Sequence, residues 1–229
     1  MTMHLRSNLA EQPLEAALPS SIAFKRASSL YRDYVKRAID IAVVLLLAAP
    51  TALILIVFAL IIMRDGRSPF YRQERVGRDG RPFSMWKLRS MVPDAEHMLE
   101  KHLADNPAAM EEWNRTQKLR KDPRITAIGR IIRPTSIDEL PQLWNVFVGD
   151  MSLVGPRPMM PNQTMIYPGS AYFAIRPGIT GYWQTSARND ASFAQRADFD
   201  TRYLRDLSFW TDIKVLLRTV RVVIRGTGY

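Results

Sequence analysis

Cysteine is absent and histidine is scarce: the 229-residue chain has only His4, His97 and His102. This excludes a disulfide framework, a thiolate zinc site and a cysteine nucleophile, and leaves no histidine cluster for a metal. Glycine is sparse as well, 11 residues against 15 prolines, without a collagen-like period. Residues 1–30 read as a flexible, polar, Pro-punctuated segment lacking the apolar stretch of a cleavable secretory signal, so export is not expected. No internal repeat or low-complexity tract is visible. What remains is 47% hydrophobic and 10% aromatic, which rules out a wholly disordered chain and suffices for one domain with a buried core.

Charge is the first positive signal. Lys and Arg number 32 against 22 Asp and Glu, a net +10, and 25 of the 32 cations are Arg. The guanidinium fork matches phosphate oxygens better than a lysine point charge does. An anionic partner is therefore expected: nucleic acid, anionic lipid or a phosphorylated substrate. Composition does not choose among them.

The apolar residues concentrate in one place. Ile41 to Met63 is a run of 23 residues without a charge, long enough to cross a bilayer as one helix. Both flanks are cationic, with Lys25, Arg26, Arg32, Lys36 and Arg37 before the run and Arg64, Arg67, Arg72, Arg75, Arg78 and Arg81 after it. Both would prefer the cytoplasmic side, and a single crossing cannot satisfy both. Pro50, near the middle, removes a backbone donor and frees the carbonyl of Leu46, so a bend there would let the segment enter and leave by one face. The reading is a re-entrant helix-break-helix over residues 31–66, with Asp40 pairing back to Lys36 and Arg37 at the interface.

Residues 67–229 read as a cytoplasmic domain. Two short strands flank a turn at Asp79-Gly80 within residues 68–91, a hairpin that places Lys87 and Arg89 on one face. Residues 94–117 are helical and charged, interrupted at Pro107. Ile213 to Arg225 sets Lys214, Arg218, Arg221 and Arg225 at helical spacing, either an interfacial amphipathic helix or a core-packed helix with a wet cationic face. The fold class is α+β, mainly helical.

The residues able to do chemistry lie between Asp122 and Pro158, centred on Asp138-Glu139. Neighbours on a helix point about 100° apart, so the two carboxylates would carry separate duties. Ser136 with Glu139 fits a capping box, and Pro141 favours Asp138 as the cap instead; either register keeps Asp138 at a helix N-terminus. There the dipole, with Arg130 and Arg133, would favour the ionised form that a carboxylate nucleophile needs. Arg157, between Pro156 and Pro158, is aimed by a stiff backbone. The stretch from Arg176 through Tyr182 and Trp183 to Arg188 could take a base and its phosphates, although such aromatics are more often core.

From Lys36 to Tyr229 the sequence resembles the monotopic bacterial polyprenyl-phosphate phosphoglycosyl transferases, and within them the short exopolysaccharide-initiating sugar-1-phosphate transferases. The resemblance rests on Lys36-Arg37 with Asp40, the apolar segment with Pro50, Gln73-Glu74-Arg75-Val76-Gly77, Lys87-Leu88-Arg89-Ser90-Met91, Asp122-Pro123-Arg124, Ser136-Ile137-Asp138-Glu139-Leu140, Gly149-Asp150-Met151-Ser152, Gly155-Pro156-Arg157-Pro158 and Pro177-Gly178-Ile179-Thr180-Gly181. It departs at Ala49, where many relatives have Ser before the bend proline, and at Ala187, where relatives usually have Gly.

The resemblance implies transfer of a sugar 1-phosphate from a UDP-sugar, galactose or glucose, to polyprenyl phosphate, with release of UMP and a requirement for Mg²⁺. It implies Asp138 as the nucleophile forming a covalent phosphosugar intermediate, Glu139 holding the metal, and Arg89, Arg133, Arg157 and Arg188 contacting phosphate or nucleotide. It places the protein on the cytoplasmic face of a bacterial inner membrane, embedded in lipid and open to homo-oligomerisation, with no nucleic acid involved. The competing expectation is a non-catalytic, basic, membrane-anchored protein that binds nucleic acid or anionic lipid. It leaves Asp138, Glu139 and Asp150 without purpose among the basic motifs.

Overall fold

The uncharged run forms one long helix. The structure, a computed structural model, describes residues 30–116, 119–186 and 193–224; the expectations for residues 1–29, for Arg188 and for Arg225 lie outside them. Helix α1 (Lys36–Ile62) continues a π-helical turn at Tyr31–Val35. Its most apolar window has a mean hydropathy of 2.9 and is only 6% buried. Residues 45–54 are exposed apart from a half-buried Thr51. So much apolar surface is incompatible with water on all sides, and the chain is membrane-associated. Pro50 lies inside α1, so the expected pair of helices is a single helical element.

Both ends of α1 dock on the same body of protein. Val44 joins the buried cluster of Met85, Val146, Met151, Leu153, Val154, Ile175, Tyr203 and Val215. Ile62, with Leu55 and Phe58 beside it, joins Leu88 and Ile132. The polar residues at the start of the helix do not pair as expected. Asp40 accepts from Ser152 Oγ (2.7 Å) and the Leu153 amide (3.0 Å), whereas Lys36 Nζ reaches Asp212 (2.6 Å). Arg37 donates to the carbonyls of Val146 and Phe147. A helical i,i+4 pairing is weak on a surface, and these side chains find buried partners far along the chain instead.

The hairpin forms as read. Strands β1 (Phe70–Val76) and β2 (Pro82–Leu88) pair antiparallel, with Tyr71 opposite Lys87 and Val76 opposite Pro82. Asp79 and Gly80 both take positive φ (61° and 77°), the conformation that an Asp-Gly turn accommodates. The charged stretch divides at Pro107 into α2 (Ala95–Asp105) and α3 (Pro107–Thr116). Next come a single helical turn, α4 (Gly129–Ile132), and α5 (Gln142–Val148).

A second, two-stranded parallel sheet joins β3 (Ser152–Val154) to β4 (Gly178–Thr180), on either side of the short helix α6 (Ala171–Ala174). The chain closes with α7 (Tyr182–Ser186), α8 (Arg196–Asp206) and α9 (Phe209–Ile224). Helix α9 buries Asp212 and Val215 and turns outward Trp210, Leu217, Val220 and Ile224 together with Lys214, Arg218 and Arg221. Its inner side is core-packed, and its outer side mixes apolar and cationic residues in the manner of an interfacial helix.

Candidate active site

The buried amide of Asn145, on α5, locks the scaffold beneath the acidic pair. Its Nδ2 donates to Ser84 O (2.8 Å) and Asp150 (3.1 Å), and its Oδ1 accepts from the Trp86 amide (3.0 Å). Strand β2 is thereby fixed against α5, and the loop that enters α5 carries Asp138 and Glu139. This makes Asn145 a positioning residue that sequence reasoning missed. A lone Asn inside an apolar helix carries no sign of which distant strand it clamps.

Asp138 and Glu139 lie on a 3₁₀ turn, Ile137–Glu139, and α5 starts only at Gln142 with Pro141 as its cap. The capping box does not form. Ser136 takes a left-handed conformation (φ 57°, ψ 21°) and makes no side-chain cap. A non-glycine residue there stores strain of order 1–3 kcal/mol, immediately before the acidic pair. Asp138 therefore precedes the helix by a turn, where a short helix's dipole gives little.

Asp138 is 6% exposed. Burial pushes its carboxyl above the ordinary carboxylate range, and the charge of Glu139 adds to the rise, while Lys87, Arg133 and Arg157 pull it back. Of the two cations expected to favour the ionised form, Arg133 does act on Asp138 while Arg130 is exposed, and the rise from burial outweighs the pull of the cations. Glu139 meets Lys87 Nζ at 2.8 Å and Arg157 at 3.6 Å.

Arg157 is aimed by backbone contact between two motifs. The Gly155 amide donates to Thr180 O, and the Gly178 amide donates to Pro156 O, both at 2.8 Å. A Cβ on Gly178 would stand 2.1 Å from the Gly155 nitrogen, so only glycine permits this approach. The guanidinium then lies 5.9 Å from the Trp183 ring centroid.

Arg133 follows Ile132 and reaches Ser90 Oγ at 3.5 Å, while its buried Nε has no partner. Ile132 and Ile137, each next to one of these charged residues, pack with Leu55, Phe58 and Ile62 of α1. The site is therefore built directly on the membrane helix.

Other residues singled out in the sequence go elsewhere. Arg89 parts from Lys87: its Nε donates to Ser68 O (2.9 Å) and its NH2 to Ile62 O (3.3 Å), tying the end of α1 to the hairpin. Arg176 donates to Gly149 O and lines a cleft of about 360 Å³ with Arg32, Lys36, Asp40 and Arg78 at the start of α1. Tyr182 stacks edge-on against Tyr203 and bonds Asp206. Trp183 alone of that pair sits among the site's cations.

Among the described residues, no group of three His, Cys, Asp or Glu could cage a metal. Mg²⁺ is commonly held by one or two carboxylates with substrate phosphates completing the shell, and the pair Asp138-Glu139 fits that mode.

Comparisons with known proteins place the chain in a family. The profile of the family described as bacterial sugar transferase matches residues 31–226. The chain is 46% identical over 197 residues to the UDP-galactose-lipid carrier transferase of Erwinia amylovora, covering 85% of this chain and 41% of that protein. It is 42% identical over 198 residues to the exopolysaccharide production protein ExoY of Rhizobium meliloti, covering 84% and 87%. It is 39% identical over 199 residues to the UDP-glucose:undecaprenyl-phosphate glucose-1-phosphate transferase of Caulobacter vibrioides, covering 82% and 69%. The chain spans about two fifths of the length of several curated relatives it matches, the Erwinia protein among them. With its profile covering the membrane helix and the acidic pair alike, the chain belongs to the bacterial sugar transferase family.

Proposed function

We propose that the chain transfers a sugar 1-phosphate from a UDP-sugar, galactose or glucose, to polyprenyl phosphate. UMP is released, and the product begins an exopolysaccharide repeat unit. The observation that carries this reading is an acidic pair, Asp138 buried and Glu139 half-buried, ringed by Lys87, Arg133 and Arg157 and seated on the end of an apolar helix. Every reactant is phosphorylated and the acceptor is a lipid, so cations and membrane are needed at one place. A non-catalytic basic anchor has no use for two carboxylates held inside such a ring.

An oxygen of Asp138 attacks the phosphorus that bears the sugar. The bond from that phosphorus to the UMP oxygen breaks, UMP leaves, and an aspartyl phosphosugar remains. A phosphate oxygen of the polyprenyl acceptor then attacks the same phosphorus and releases the Asp138 carboxylate. Arg133 and Arg157 offset the charge that gathers on the phosphoryl oxygens, and Lys87 holds Glu139 in place. Glu139, with the donor's phosphates, would hold Mg²⁺, which supplies charge neutralisation at the diphosphate. Arg188 is proposed as a further phosphate contact.

The relatives named above bear on the substrates: one is a UDP-galactose-lipid carrier transferase and another a UDP-glucose:undecaprenyl-phosphate transferase. Purified protein given radiolabelled UDP-galactose or UDP-glucose, undecaprenyl phosphate and Mg²⁺ is expected to form a lipid-linked sugar and UMP in equal amounts, and EDTA to stop both. No product from any UDP-sugar tested would reject the reading.

We further propose that residues 31–66 enter and leave the inner membrane by the cytoplasmic face, with residues 67–229 forming the catalytic domain on that face. Support comes from the docking of both ends of α1 on one body, the exposed stretch between them and Pro50 within it. Single cysteines at positions 20 and 70, in a chain that otherwise has none, are expected both to resist a membrane-impermeant thiol reagent in intact cells. Labelling of only one would mean a complete crossing.

A further inference from the structure

Three guanidiniums, Arg75, Arg157 and Arg196, gather near one another with little to balance them, and Arg157 links them to Glu139. Arg196, on α8, is 8% exposed, and its guanidinium carbon lies 4.6 Å from the Trp183 centroid and 4.9 Å from that of Phe193. Arg157 lies over the same Trp183 ring. Arg75, on β1, reaches Pro158 O and Gln73 Oε1, while its Nε is sealed from solvent with no partner. Among the described residues no carboxylate forms an ion pair with Arg75. Among the described residues the acid acting on Arg196 is Asp200, whose carboxylate accepts from the Tyr167 hydroxyl at 2.8 Å. Burial, followed by the neighbouring charge of Arg157, pushes both Arg75 and Arg196 down to about 10.

A fold that needed these cations only for packing would surround them with carboxylates, because unpaired buried charge costs several kcal/mol per ion. An aromatic ring does something different. It offsets positive charge through its face and leaves the N–H edges of the guanidinium unspent. Two arginines against one tryptophan are thus kept in place with donors available to a third party carrying negative oxygens.

We infer that Arg157 and Arg196, held against Trp183, together with the neighbouring Arg75 form the seat for the diphosphate of a nucleoside diphosphate donor. The inference rests on the UDP-sugar reading above and gives it an address on the chain. Arg157 touches both this cluster and Glu139, so a diphosphate seated here presents one phosphorus toward Asp138. Arg133, beside Ile132 and α1, is left to the phosphate arriving from the lipid side. Trp183 is a positioning residue.

The test is UDP binding to the full-length protein in nanodiscs, by calorimetry, with thermal unfolding as the second readout. Arg75→Met and Arg196→Met are each expected to weaken UDP at least about tenfold, the loss of one charge-assisted contact. Each is also expected to leave the ligand-free unfolding temperature unchanged or higher, since like charges in a buried site repel. Asp138→Ala, which removes a negative charge from the neighbourhood, is expected to bind UDP no more weakly than the unaltered chain. Affinity within twofold of the unaltered chain in a folded Arg75→Met or Arg196→Met overturns the inference. Should Arg75→Met not fold, Arg75→Lys decides: it keeps the charge and loses the fork, so UDP should weaken about fivefold, and unchanged affinity is again fatal. The two readings fail separately. UDP binding that depends on these arginines without lipid-linked product rejects the transferase and keeps the seat; normal product with an unmoved donor KM in Arg75→Met does the reverse.

Discussion

Asp138→Ala is expected to lower formation of lipid-linked sugar by at least about 10³-fold, the scale on which removal of a covalent nucleophile acts. Asp138→Asn should do the same, because an amide keeps the shape of the carboxyl but cannot form the acyl phosphate. The protein should remain folded. Asp138 lies buried next to Glu139 with its carboxyl pushed upward, so the native state gains little from its charge. Glu139→Gln should retain more activity than either, since its proposed duty is to hold Mg²⁺ and to pair with Lys87 and Arg157. Two measurements separate the roles: product formation under saturating donor, and mass spectrometry of the quenched, donor-loaded protein. Full turnover in Asp138→Asn, or product without any phosphosugar adduct on this residue, would remove Asp138 from the mechanism.

The second large effect concerns stability. Asp212→Ala is expected to destabilise the protein by about 3–5 kcal/mol, the usual consequence of stripping one partner from a buried ion pair. Asp212 accepts from Lys36 Nζ (2.6 Å), Tyr31 OH (2.7 Å) and Tyr203 OH (2.7 Å), so one carboxylate fastens the start of the membrane helix, α8 and α9 together. Alanine strands the buried Lys36 ammonium and takes an acceptor from the Tyr31 hydroxyl, while the Tyr203 hydroxyl keeps Val154 O. In a chain of this length such a loss moves the unfolding midpoint by roughly 10 °C, measurable in nanodiscs. The double variant Lys36→Met with Asp212→Ala should recover part of the loss, because it removes the stranded charge. A midpoint shift below about 2 °C for Asp212→Ala would show that this carboxylate is not a structural junction.

Local chemistry made much of the chain readable beforehand. The Asp-Gly turn, the proline that opens α3 and the uncharged run all declare themselves within a few residues. So did the acidic pair and Arg157, whose glycine and proline neighbours announce a stiff, close-packed backbone. The rest depended on partners too distant to see. Asp40 was matched to cations within one helical turn, yet its donors are Ser152 and Leu153, more than a hundred residues away. Nothing next to Asp212 or Asn145 in the sequence marks either as a junction between distant elements. Lys87 and Arg89 were placed together by strand alternation, but β2 ends at Leu88, after which the chain turns and sends Arg89 to main-chain carbonyls. Periodicity reports which side of an element is wet. It does not report which other element lies across from it.

A helix pinned to one body at both extremities leaves that body no freedom to rock or lift away from the leaflet. On the re-entrant reading, the distance of Asp138 from the bilayer surface becomes a constant of the architecture, set by the packing of Ile132 and Ile137 with Leu55, Phe58 and Ile62. The enzyme then has no way to follow an acceptor down its hydrocarbon tail. Discrimination among the proposed polyprenyl phosphate acceptors then falls on the phosphate and the first few units next to it, and chain length beyond that passes unread.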